Sequence, residues 1–182
     1  MKKEIILKGR EFILRPYRKE DFVSLVKNAG NKTFFKNFIT VALSSNTMKE
    51  TKKYINETIV KKFNNHSHNN FVIDVDDLAV GIIGGYFKRD NEPSIFTFGY
   101  WLGEEYWNRG IISESIMLYT NYLFKTIKGL QRIEAAVFSW NDASKKVLEK
   151  NGFKFEGILR KNRKYRGKLI DEYIFSKLKN EK

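Results

Sequence analysis

Cysteine is missing altogether from the 182 residues. Its absence excludes a disulfide framework, a thiolate zinc site and any route that parks an acyl group on a cysteine nucleophile. A reducing cytoplasm is compatible with that composition and is the expected location. Long apolar runs are missing too: Leu78 to Phe87 is short and broken by glycines, well below membrane-spanning length. Met1-Lys2-Lys3 has the charge of a signal-peptide start, but no continuous apolar stretch follows it, so a soluble chain is expected. Acidic residues are the scarcer charge. Lys and Arg number 34 against 21 Asp and Glu, a net charge of +13, and residues 145–182 hold 13 basic against 5 acidic side chains. Such a bias suits a polyanionic partner, either cofactor phosphates or ribosomal RNA, and it also fits a coding preference for Lys, Asn and Ile.

What is present suffices for one compact domain over 1–182. The sequence is 42% hydrophobic and 15% aromatic, enough to bury a core, and neither a repeat nor a low-complexity linker divides it. Glu11 to Arg15 alternates as a half-buried strand until Pro16. Asp21 to Asn28 and Thr47 to Phe63 carry apolar residues at helical spacing, with Thr47 and Glu50 arranged as a capping box. Asn70 to Val75 and Leu78 to Lys88 read as strands of a hairpin turning at Asp76-Asp77, and Ser94 to Leu102 continues the antiparallel series. A helix follows Gly110 to about Lys125. Arg132 to Phe138 returns to strand period, and a helix over Asp142 to Lys150 closes at Asn151-Gly152. Phe153 to Lys164 and Lys168 to Lys177 form a final hairpin about Arg166-Gly167. The order is β-α-α-β-β-β-α-β-α-β-β.

The passage from Gly99 to Glu114 carries the most chemical information. A strand ends, a short loop with Gly110 turns, and a helix begins, which aims first-turn backbone amides and a positive dipole end outward. That arrangement cradles an anion such as a pyrophosphate, and it also occurs as an ordinary strand-to-helix turn.

Trp107-Asn108-Arg109-Gly110-Ile111-Ile112 resembles motif A of the GNAT superfamily, Q/R-x-x-G-x-G/A, and Gly99-Tyr100-Trp101 is similar to the G-Y-W of the branch that acetylates ribosomal-protein N-termini. Val137 to Phe153 resembles that family's N-x-x-S…E-K-x-G-F block, with Glu156-Gly157 and Arg160 after it, and Leu14-Arg15-Pro16 is similar to its L-R-P start. The resemblance implies a mixed α+β fold whose central, mostly antiparallel, splayed seven-stranded sheet is flanked by about four helices. It implies acetyl-coenzyme A as co-substrate, no metal, and direct transfer to a primary amine. Coenzyme contacts fall on Trp101, Leu102, Trp107, Asn108, Arg109, Gly110, Ile111, Ile112, Ser113 and Asn141, although Ile112 departs from the Gly/Ala of the pattern.

For the chemistry, the resemblance assigns Ser144 to the proton for the departing thiolate, with Tyr100 and Tyr119 as alternatives. Many relatives carry a Glu base where this chain has Thr97, so that role does not transfer. Glu105 is the candidate here, with Glu104 beside it, while Glu114 suits the helix N-terminus electrostatically. Each assignment has a plainer reading: Asn141 as a helix N-cap and Ser144 as a backbone-satisfying hydroxyl. Phe34, Phe35 and Phe38 serve either the acceptor site or packing. His66 and His68 lack a ligand set beside them and read as a solvated loop. Expected partners are a protein N-terminus or a small amine (polyamine, antibiotic or amino acid); ribosome association and a homodimer stay open, and no membrane is expected. The rival classes are a non-catalytic coenzyme A-binding module and a plain nucleic-acid-binding domain.

Overall fold

A computed structural model describes residues 4–29, 48–61, 69–88, 93–165 and 167–181, apart from the side chains of 58 and 59. The residues group into two compact units, Met1–Gly84 with Tyr100–Ser115 and Gly85–Gly99 with Ile116–Lys182. Among the described residues are eight strands and four α-helices, in the order that the sequence patterns predict. The extra strand is β1 (Leu7–Lys8), which pairs antiparallel with β2 (Ile13–Arg15). Two residues are too few to show a period of two, so alternation reveals only its partner.

In the first unit β2 pairs antiparallel with β3 (Asn70–Val75), and β3 with β4 (Leu78–Phe87). Asp76 and Asp77 make the β3–β4 turn with φ of 51° and 61°. Two successive left-handed residues are what a two-residue hairpin needs to match the twist of its strands, and Asp tolerates that region. The helices of this unit are α1 (Asp21–Ala29) and α2 (Met48–Tyr54); α2 continues as a wider π-helical turn over Ile55–Val60. Leu25, Val26 and Ala29 of α1 meet Tyr54, Ile55, Val72, Ala79, Ile82 and Trp101 in a buried cluster. The expected capping residue Thr47, the aromatic stretch Phe34, Phe35 and Phe38, and His66 and His68 lie outside the described residues.

β4, β5 (Ile95–Leu102) and α3 (Ile111–Thr126) each contribute to both units. Gly81 explains how closely β4 runs to β5 in the first unit. A Cβ there would come within 2.4 Å of the Trp101 carbonyl oxygen, so any larger residue would force the strands apart.

In the second unit β5 pairs parallel with β6 (Arg132–Phe138), β6 antiparallel with β8 (Lys168–Leu178), and β8 antiparallel with β7 (Lys154–Tyr165). The β5–β6 ladder is short. It runs Ile95↔Arg132, Phe96↔Ile133, Thr97↔Glu134 and stops, while β6 stays paired with β8 as far as Phe138↔Glu172. Tyr119 of α3 packs on Phe98, and Phe98 on Phe153, with ring centroids 5.9 and 5.5 Å apart. The last helix, α4 (Asp142–Lys150), follows β6 after three intervening residues. No helix among the described residues is long and apolar enough to cross a membrane.

Candidate active site and coenzyme cradle

In the first unit β5 delivers Tyr100, Trp101 and Leu102 to a tight bend. The amide of Gly103 donates to the Val80 carbonyl at 2.8 Å, and a single 3-10 turn over Glu104–Tyr106 follows. Trp107 closes that turn twice: its amide donates to the Glu104 carbonyl at 3.1 Å, and its indole N–H donates to the Leu102 carbonyl at 2.9 Å. An indole in this position acts as a strut, which explains a large apolar side chain in a loop that stays largely exposed.

Asn108 and Gly110 then take left-handed φ values of 60° and 79°. Asn adopts that region at modest cost and Gly at none, so the chain reverses within a few residues and enters α3 at Ile111. The Gly110 carbonyl accepts the first helical bond, from the Glu114 amide at 3.0 Å. The amides of Ile111 and Ile112 therefore precede the helix's own ladder and carry its positive dipole end. Among the described residues a Cβ on Gly110 would meet nothing closer than Arg10 Nη2 at 3.8 Å, which leaves room over this turn for an anion. The donor set, backbone amides with arginines beside them, suits a pyrophosphate.

Trp101, Leu102, Trp107, Asn108, Arg109, Gly110, Ile111, Ile112 and Ser113 thus lie on one strand–turn–helix passage. Tyr100 is half-buried on the same strand, and Glu104 and Glu105 are exposed on the 3-10 turn. Two residues on this side had no signal in the local sequence. Arg10 donates from its amide and its Nε to the two Glu114 carboxylate oxygens, each at 3.1 Å, across 104 residues. Glu11 accepts from Arg109 Nη2 at 3.1 Å, while the Arg109 guanidinium also lies over the Tyr106 ring, 5.7 Å from its centroid. The β1–β2 turn is in this way laced to the start of α3 by two crossed ion pairs.

In the second unit Asn141 and Ser144 sit together on the first turn of α4. Asn141 caps the helix, its side-chain oxygen accepting from the Ser144 amide at 3.2 Å. The capping reading is therefore realised, and it leaves the Asn141 NH₂ for another acceptor. Lys145 holds the same turn: its ammonium donates to the Ser139 carbonyl and to Asp142 Oδ1, and lies 4.4 Å from the centre of the Tyr173 ring. Tyr119 is fully buried, and burial pushes its hydroxyl pKa well up, which makes it a poor proton donor.

Thr97, at the position of the base in many relatives, donates through Oγ1 to Glu134 Oε1 at 3.1 Å. Glu134 also accepts from Lys88 at 2.8 Å and Arg132 at 3.4 Å. Burial would raise its pKa, but those hydrogen bonds and the Lys88 charge outweigh it and hold the carboxyl below the ordinary glutamate range.

A family model described as an acetyltransferase (GNAT) domain matches residues 11–154. The probable N-acetyltransferase YjcK of Bacillus subtilis is 30% identical over 174 residues, covering 94% of this chain and 96% of YjcK. The uncharacterized N-acetyltransferase p20 of Bacillus licheniformis is 37% identical over 110 residues; that match spans 60% of this chain and 61% of p20, less than two thirds of its length. Among solved structures, the ribosomal-protein-S5-alanine acetyltransferase of Vibrio fischeri superposes with a TM-score of 0.77 at 22% identity, over 97% of each chain. With residues 11–154 matched by the family model and 94% of its length aligned to a relative at 30% identity, the chain belongs to the GNAT family of acetyl-CoA-dependent acetyltransferases.

Proposed function

We propose that this chain, acting as one catalytic domain, transfers the acetyl group of acetyl-coenzyme A directly to the α-amine of a protein N-terminus, with ribosomal proteins as the first acceptors to test. The coenzyme supplies an acyl group activated as a thioester. In the first unit the passage from Trp107 to Ser113 holds its pyrophosphate and main chain at Trp101 and Leu102 meets the carbonyl oxygen; in the second unit, by resemblance to the family's second motif, the Asn141 NH₂ is the donor for the pantetheine arm. The amine nitrogen bonds to the carbonyl carbon and loses a proton, while the carbon–sulfur bond breaks and the thiolate gains one. Ser144 donates a hydrogen bond toward that sulfur, with Tyr100 as the alternative, and Glu105 orders the water that carries the amine proton away.

The observation that carries the acceptor class is the state of Glu134. The carboxylate beside Thr97 is bound by three donors and its pKa is lowered, so it makes a weak base. A lysine or polyamine nitrogen, with a pKa of about 10.4, would need strong assistance to lose its proton; an α-amine at about 7.7–8.0 is partly neutral already. Likeness to the Vibrio fischeri S5-alanine acetyltransferase points the same way, and the surplus of positive charge in residues 145–182 suits work beside ribosomal RNA. Cytoplasmic location and a homodimer are consistent with this role.

The test presents purified protein with acetyl-coenzyme A and three acceptors: ribosomal-protein N-terminal peptides, the same peptides pre-acetylated at the α-amine but carrying lysine, and spermidine. Mass spectrometry should find acetylation of the free α-amine alone, with a rate that levels off above about pH 8 as that amine becomes neutral. Preference for spermidine or for lysine side chains would overturn the acceptor assignment. Gly110→Asp, which puts a carboxylate into the cradle, is the control that should abolish turnover.

A further inference from the structure

We infer that Arg10 grips the coenzyme's pyrophosphate and that Glu114 is the residue that positions it; the inference rests on the coenzyme reading above. Glu114 stands in the first turn of α3, where a carboxylate favours the helix dipole but would repel a pyrophosphate bound to the same amides. Arg10 resolves that conflict. Its amide and Nε both bond Glu114, which fixes the plane of the guanidinium and neutralises the carboxylate. The terminal nitrogens Nη1 and Nη2 have no acceptor among the described residues, and the side chain is 80% exposed. Nη2 lies 3.8 Å from the point a Gly110 Cβ would occupy, over the entrance of α3.

An arginine held by its Nε presents its two terminal amino groups as a fork, and a fork of this kind matches the spacing of phosphate oxygens. Arg109 is arranged differently. Its Nη2 is taken by Glu11, and its guanidinium rests over the Tyr106 ring. Of the two arginines flanking the backbone cradle, Arg10 is therefore the one whose terminal donors are held ready.

The experiment is calorimetric titration of the full chain and its variants with coenzyme A, dephospho-coenzyme A and pantetheine. Arg10→Ala should weaken coenzyme A and dephospho-coenzyme A by about tenfold each, the scale of one charge-assisted interaction at a solvated site, and leave pantetheine unchanged. Arg10→Lys, which keeps the charge without the fork, should recover only part of the loss. The decisive variant is Glu114→Ala. Removing a carboxylate beside an anion site strengthens anion binding if the carboxylate only repels; if it positions Arg10, binding weakens several-fold, and Arg10→Ala/Glu114→Ala binds no worse than Arg10→Ala alone.

Unchanged affinity in Arg10→Ala, full recovery with Lys, or tighter binding by Glu114→Ala would each overturn the inference. A loss confined to coenzyme A, with dephospho-coenzyme A unaffected, would move Arg10 to the 3′-phosphate and overturn the pyrophosphate assignment. Failure of the wild-type protein to bind coenzyme A would instead sink the parent reading, a result distinguishable from all of these. Arg10 is so exposed that its variants should fold, and thermal melts of each check that they do.

Discussion

Arg10 and Arg15 stand five residues apart, and each holds a carboxylate brought from far along the chain, Glu114 and Asp74, but their surroundings differ. Arg15 is 2% exposed. Its Nη1 and Nη2 make a bidentate pair with Asp21 at 2.7 Å each, its Nε reaches Asp74 at 2.5 Å, and Nη1 also donates to the Pro16 carbonyl. Four of the five N–H donors of that guanidinium are spent inside the protein, tying β2, β3 and the start of α1 together. Arg10 spends one edge on Glu114 and turns the other toward solvent. The same side chain is thus a structural bolt where it is buried with four of its five donors bonded, and an outward-facing donor where only Nε is bonded and both terminal nitrogens are left over.

The contrast is broken most severely at Arg15. Arg15→Ala leaves Asp21 and Asp74 buried without their counter-charge, and removing one partner of a buried ion pair costs about 3–5 kcal/mol. Urea denaturation should show the midpoint falling steeply, and the same measurement on Arg10→Ala should show almost no change. If the two variants lost similar stability, burial would not be what separates the two arginines.

Next in size is the pH response of Glu134, the bonded carboxylate at the point where the β5–β6 ladder stops. A lowered folded pKa means that its contribution to stability is fully present above the ordinary glutamate value of about 4.3 and is lost as pH falls through the lower folded value. Wild-type protein should therefore lose stability in that acid window more steeply than Glu134→Gln, which has no proton to take up there. Equal acid limbs in denaturation curves taken across the window would show that Lys88, Thr97 and Arg132 do not hold the carboxylate as described.

How much of this was legible in the sequence depends on how local the cause is. The Asp76-Asp77 hairpin and the helix from Asp142 to Lys150 were read to the residue, because φ preferences, caps and a terminal Gly act over a few positions. The strand–turn–helix passage about Gly110 is readable for the same reason: its elements follow one another along the chain. The ion pairs that equip it are not. Arg10 meets Glu114 only once the fold brings together residues 104 apart, and Glu134 faces Thr97 through a parallel register that no local pattern specifies. The Leu14-Arg15-Pro16 resemblance marked a residue whose partners, Asp21 and Asp74, emerge only with β2, β3 and α1 in place.

Asn141 gives a smaller effect, and one that separates two roles in a single side chain. Asn141→Ala removes the cap on the Ser144 amide and should cost about 1 kcal/mol. Asn141→Asp keeps a good capping oxygen and loses the NH₂, so its stability should match wild type while the Michaelis constant for acetyl-coenzyme A rises. Unchanged stability together with unchanged coenzyme affinity in Asn141→Asp would reduce Asn141 to a cap that another polar residue can supply.

The smallest change is expected at the other crossed pair, Glu11 with Arg109. Both side chains are largely exposed, at 61% and 42%, and an exposed ion pair gains little over its separately hydrated partners. Glu11→Gln should therefore move stability by no more than about 0.5 kcal/mol, far less than Arg15→Ala. Its consequence for binding runs opposite to that of Glu114→Ala: freeing the Nη2 of Arg109 adds a donor beside the cradle and removes a negative charge from it, so coenzyme A should bind equally well or slightly tighter. That opposition sharpens the distinction between two carboxylates that look alike in the ion-pair geometry. Glu114 holds an arginine in a useful orientation, whereas Glu11 occupies one, and a binding loss in Glu11→Gln would mean that Arg109 also needs its carboxylate to face the ligand.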